Sequence, residues 1–188
     1  MKIILGTPKS GSTFITRYIA NQYPDYDYLK EYFQPLWYNK NETTDTRLKS
    51  LQEKSVLKIH TGKETADEVW NFIQNRKIIF VERKDKLDQF TSLGLSYLSD
   101  IWTVYDKPNE FVKGYYKKEW FDDLAYRLDQ YYEKKDILNV DKVYFYEDIP
   151  KIKRNGVLPI KQHPLNIEQK LNMFTNREQF LEWYNDRY

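Results

Sequence analysis

Lys2-Ile3-Ile4-Leu5-Gly6-Thr7-Pro8-Lys9-Ser10-Gly11-Ser12-Thr13 opens the chain, and its reading decides the fold. Lys2–Leu5 is a short apolar run closed by glycine, the pattern of a buried strand in a parallel sheet. Gly6–Ser12 is a turn of small residues. From about Thr13 to Gln22 a helical pattern follows, with Phe14, Ile15, Tyr18 and Ile19 on one side. Strand, glycine loop and helix, in that order, aim backbone N–H groups at an anion at the helix N-terminus.

The same alternation continues outward. Ser55–His60 reads as a second strand and Glu64–Asn75 as a helix carrying Val69, Trp70 and Ile73. Lys77–Glu82 is the clearest buried strand, Leu87–Leu98 a helix, and Trp120–Lys135 an amphipathic helix with Phe121, Leu124, Leu128 and Tyr131 on its stripe. Lys142–Tyr146 is a further strand and Asn176–Arg187 a closing helix. This order predicts an α/β protein. The expected fold is P-loop-like and three-layered, with a central, mostly parallel sheet of about four to five strands flanked by helices. One domain is expected over residues 1–188, with a core at 1–149 and a helical extension at 150–188. In such sheets ligands bind beyond the carboxyl ends of the strands. Gly6–Thr13, His60–Gly62, Arg83–Ser92 and Glu147–Asp148 all lie there.

Composition bounds the function. Lys and Arg number 30 against 28 Asp and Glu, a net charge of +2, which disfavours nucleic acid as a partner. The chain has no cysteine, which excludes disulfides, thiolate zinc sites and a cysteine nucleophile. No cluster has metal-ligand spacing, so no metal is expected. No apolar run approaches the ~18 residues of a membrane span, and the apolar N-terminal stretch is too short for a secretory signal. A cytoplasmic protein without a membrane partner is expected. The 17 Tyr, 10 Phe and 5 Trp are enough rings to build a core and also to wall a cleft for a purine or a sugar.

Gly6 and Gly11 have the separation of the Walker A pattern, and Thr13 holds its hydroxyl position. Its lysine position is Ser12, and the loop's only lysine is Lys9. Triphosphate hydrolysis uses a lysine at that position to reach the β- and γ-phosphates. The loop therefore fits a phosphate-like group whose cation enters from elsewhere. A P-loop phosphotransferase and a catalytically silent nucleotide- or sugar-binding module are the rival readings.

Pro8-Lys9-Ser10-Gly11-Ser12-Thr13-Phe14 is similar to the Pro-Lys-Ser-Gly-Thr-Thr-Trp segment of sulfotransferases, which use 3′-phosphoadenosine-5′-phosphosulfate (PAPS) as sulfuryl donor. The resemblance implies that Lys9 sits on the bridging oxygen and that Pro8, Ser10, Gly11, Ser12 and Thr13 cradle the phosphosulfate, with Phe14 at the adenine. Arg83, after Ile78-Ile79-Phe80-Val81-Glu82, matches the arginine that holds the 3′-phosphate; the partner hydroxyl falls on Thr91 or Ser92. Lys58-Ile59-His60 resembles the Lys-x-His strand end whose histidine is the general base. Leu29-Lys30-Glu31-Tyr32-Phe33 resembles the stretch of carbohydrate sulfotransferases whose glutamate is the base. His60 and Glu31 therefore both stand as candidate bases, with Lys58 a second cation. Tyr144-Phe145-Tyr146-Glu147-Asp148 resembles the family's Tyr-Glu-Asp strand end, with Tyr146 beside the adenine and Glu147 and Asp148 orienting backbone. Lys153-Arg154-Asn155-Gly156 is the nearest match to a second phosphate clamp, through Arg154. The resemblance spans residues 1–149 in scattered blocks and implies in-line sulfuryl transfer, without metal, to a hydroxyl or amine of a small-molecule or carbohydrate acceptor. Tyr28, Tyr32, Phe33, Trp37, Trp102, Tyr105, Tyr115 and Tyr116 are the expected acceptor walls.

Overall fold

Five strands pair in parallel in the order β2-β3-β1-β4-β5: β1 (Lys2–Gly6), β2 (Asp27–Tyr28), β3 (Ser55–His60), β4 (Ile78–Glu82) and β5 (Val140–Phe145). The computed structural model describes residues 1–29, 31–33, 42–62, 65–102, 110–149 and 165–188. They fall into two compact units. One comprises Met1–Lys84 with Tyr126–Pro150; the other comprises Asp85–Ala125 with Lys151–Tyr188.

The first unit holds the sheet. Strand alternation separates its two faces. Ile3 and Leu5 of β1, Leu57 and Ile59 of β3, and Ile78 and Phe80 of β4 face one way. They pack with Val69 and Ile73 of α3 (Asp67–Ile73) and with Tyr131 of α5 (Lys118–Ile137). Ile4, Val56 and Lys58 face the other way, where α1 (Ser12–Ala20) buries Phe14, Ile15 and Ile19. The α/β, all-parallel sheet flanked by helices is the architecture expected from the alternating pattern.

Three short elements carry no clear periodic signal in the sequence. β2 has only two residues and is set by pairing Asp27 with Ser55 and Tyr28 with Val56. α2 (Thr44–Ser50) lies in a polar stretch, yet its start is fixed by a capping box in which Thr43 and Thr46 satisfy each other's N–H groups. α6 (Ile167–Leu171) starts the same way, through Asn166 and Gln169. Tyr146, expected to end β5, instead opens a 3-10 turn, Tyr146–Asp148.

The second unit is built around rings. In α4 (Lys86–Ser99), Gly94 gives room for Tyr116; an added Cβ would lie 2.2 Å from its ring. Tyr116 is fully buried against Phe174 and Phe180, the latter from α7 (Arg177–Arg187). Phe90 packs on Phe121 with ring centres 4.5 Å apart. No helix among the described residues is long and apolar enough to cross a membrane.

Candidate functional site

β1 is central, with β3 on one side and β4 on the other. The chain goes from β1 to one half of the sheet and later crosses to the other, so the carboxyl end of β1 borders the switch point where open α/β sheets bind ligands. The loop that leaves β1 there turns on two left-handed residues, Lys9 at φ 58° and Gly11 at φ 83°. Gly11 is required twice over, because a Cβ would also lie 2.1 Å from the Tyr146 ring. Within the loop, Ser10 N–H and Oγ–H both donate to the Thr7 carbonyl, at 3.2 and 2.8 Å. The N-cap of α1 is Gly11, which has no side chain to cap it, so the first-turn N–H groups lack an intrahelical partner.

β3 supplies two ionisable side chains. Lys58 and His60 are two residues apart, so both point to the α1 face. The register sets His60 opposite Gly6 and Lys58 opposite Ile4. His60 Nε2 lies 3.0 Å from Ser12 Oγ, and its Nδ1 lies 3.8 Å from Glu31 Oε1. Lys58 Nζ donates to Thr13 Oγ1 at 2.8 Å and pairs with Glu31 Oε1 at 2.5 Å. Thus Ser12, Thr13, Glu31, Lys58 and His60 meet in one cluster. Burial lowers the Lys58 pKa, opposed by the attraction of Glu31. Burial also drives His60 down to about 3, with the positive charge of Lys58 adding to the effect and Glu31 opposing it. The His60 ring is neutral at physiological pH, and 20% of its side chain stays exposed. The Thr61 hydroxyl donates to the Arg127 carbonyl, and Arg127 Nη1 donates to the Thr61 carbonyl, bracing the end of β3 against α5.

Arg83 directly follows β4. Arg83, 8% exposed, donates from Nη1 to the Lys9 carbonyl at 3.0 Å. Its guanidinium lies 5.1 Å from the centre of the Tyr146 ring and 3.8 Å from Glu147 Oε1. Glu147 Oε2 accepts the Lys84 backbone N–H, and Asp148 pairs with the Lys84 ammonium. These acids orient backbone and a neighbouring cation. Phe14, 5% exposed, meets Tyr146 edge-on at 6.2 Å.

Thr91 and Ser92 lie in the second unit, on α4. The Thr91 hydroxyl donates to the Leu87 and Asp88 carbonyls, and Ser92 Oγ accepts from Lys170, whose ammonium also pairs with Asp88. The Lys170 contacts are not legible from spacing, because they join positions 82 and 78 residues apart. Two expected acceptor walls are core residues instead: Phe33 packs in the sheet's hydrophobic cluster and Tyr116 fills the second unit. Arg154, Trp37 and Tyr105 lie outside the described residues. Among the described residues no group of acids and histidines is arranged to hold a metal ion. The sequence matches no protein-family model and no curated protein.

Proposed function

We propose that the protein is a sulfotransferase that moves the sulfuryl group of PAPS to an acceptor hydroxyl or amine, with a carbohydrate as the favoured acceptor class. The observation that carries this reading is the convergence of Lys58, His60, Ser12 and Thr13 on the uncapped start of α1, beside a glycine loop that has serine where triphosphatases have lysine. An anion there meets backbone donors and a buried ammonium without a metal ion.

The acceptor oxygen or nitrogen attacks sulfur as the bond from sulfur to the bridging phosphate oxygen breaks. Charge develops on that oxygen, and Lys9, the loop N–H groups and Thr13 stabilise it. His60 takes the acceptor proton, exchanging its Ser12 contact for the acceptor. Neutral His60 has its lone pair available, and a bound polyanion raises its basicity. Arg83 holds the loop in shape through Lys9 and faces the nucleotide.

The test is calorimetric titration without magnesium, with 3′-phosphoadenosine-5′-phosphate (PAP) and ATP in parallel. Binding of PAP that is lost in Arg83→Ala supports the reading. Binding of ATP alone, strengthened by magnesium, moves the protein to the phosphotransferases. Binding of PAP without sulfate transfer to any acceptor in a hydroxyl and amine screen leaves a silent binding module.

A further inference from the structure

Lys58 has three N–H donors. Among the described residues two are used, on Glu31 Oε1 and on Thr13 Oγ1. Its side chain is 3% exposed, so the third donor is shut away from bulk water. Thr13 Oγ1 is an acceptor in that bond, so its own O–H must point elsewhere, and among the described residues it donates to nothing. Ser12 differs, because its hydroxyl is engaged with His60. Glu31, Lys58 and Thr13 thus form a chain of charge and hydrogen bonds that ends in one uncommitted hydroxyl proton at the first turn of α1.

We infer that the Glu31–Lys58 pair is a positioning clasp: Glu31 is the counter-ion that holds Lys58 against Thr13, and Lys58 sets the Thr13 hydroxyl as a donor to the anion at the loop. The inference rests on the nucleotide reading above and deepens it. Glu31 then restrains the affinity of the site. Its carboxylate competes with the incoming anion for Lys58, and the ammonium is the limiting cation because it alone touches both Glu31 and Thr13 among the described residues. This gives Glu31 a role other than proton acceptor.

The experiment is a calorimetric titration of the full chain with PAP, without magnesium, for the native protein, Glu31→Gln, Glu31→Asp, Lys58→Met and the Lys58→Met/Glu31→Gln double variant. Glu31→Gln keeps the shape and removes the charge; it should tighten PAP binding about tenfold. Glu31→Asp keeps the charge and should show no such gain. With Lys58 replaced by Met, removing the Glu31 charge should change affinity by less than about threefold, since the gain runs through the ammonium. An equal gain in both backgrounds, or none in Glu31→Gln, overturns the clasp while leaving the nucleotide reading intact. A native chain that does not bind PAP removes both. Thermal midpoints of all five proteins separate loss of folding from loss of binding, and the double variant carries no unpaired buried charge should Lys58→Met fail to fold.

Discussion

Arg83 Nη1 donates to the carbonyl oxygen of Lys9, 74 residues away in the chain and 3.0 Å away in space. That bond lets the end of β4 hold a non-glycine residue at φ 58° in the loop after β1. A left-handed conformation costs an ordinary residue about 1–2 kcal/mol, and the Arg83 bond is a restraint that offsets part of that cost at Lys9.

Lys9→Gly separates the two demands. Glycine adopts φ 58° without strain, so stability should stay level or rise by up to about 1 kcal/mol in urea unfolding. PAP binding should fall by at least about tenfold for want of the cation. A destabilised Lys9→Gly would show that the Lys9 side chain, rather than its backbone, holds the loop.

Gly11→Ala should be among the most damaging small substitutions, costing about 3 kcal/mol, because it combines positive φ with a Cβ 2.1 Å from the Tyr146 ring. Adding Tyr146→Ala should recover the steric part and leave the backbone part. Strict additivity of the two changes in a double-mutant cycle would mean that the ring and the loop are not in contact.

The pH dependence of stability follows from His60. Its folded pKa is about 3 against 6.5 for the free side chain, so the unfolded chain binds this proton first as pH falls. The stability tied to neutral His60 is complete above pH 6.5 and is lost as pH falls from there toward 3. Between pH 7 and pH 5 the native chain should lose about 2 kcal/mol that His60→Gln does not lose. Parallel curves for the two proteins would contradict a buried neutral imidazole.

In the second unit Lys170, 1% exposed, pairs with Asp88 and donates to Ser92. Lys170→Met should destabilise by about 3–5 kcal/mol, because it removes the buried ammonium that pairs with the Asp88 carboxylate. Asp88→Leu together with Lys170→Met should recover most of that loss. Guanidinium unfolding of the single and double variants measures it, and a single variant within about 0.5 kcal/mol of native would make the pair a surface contact in effect.

Much of the fold was legible. Ser55–His60 was bounded correctly at both ends because a buried parallel strand is an unbroken apolar run, here interrupted only by Lys58. The strong stripe of Trp120–Lys135 marked α5, although the helix runs from Lys118 to Ile137, since frayed ends carry no apolar signal. β2 was invisible because two residues have no period, and α2 because its stability lies in Thr43 and Thr46 capping each other rather than in an apolar face. In the site, the two-residue spacing of Lys58 and His60 already placed both on one face of a strand. Which of them Glu31 would meet had no trace in the spacing.

The sequence by itself determined the strand–loop–helix unit, the parallel sheet and the set of side chains at its carboxyl edge, because apolar runs, glycines and strand alternation act over a few residues. Only the tertiary structure decided their pairing: Glu31 with Lys58, Ser12 with His60, Arg83 with the Lys9 carbonyl. Those partners come from different strands, loops and the first turn of α1, and a hydrogen bond or ion pair between them depends on sheet register and on burial. Both are properties of the folded chain, since a buried charge must find whichever opposite charge or dipole the fold brings within reach.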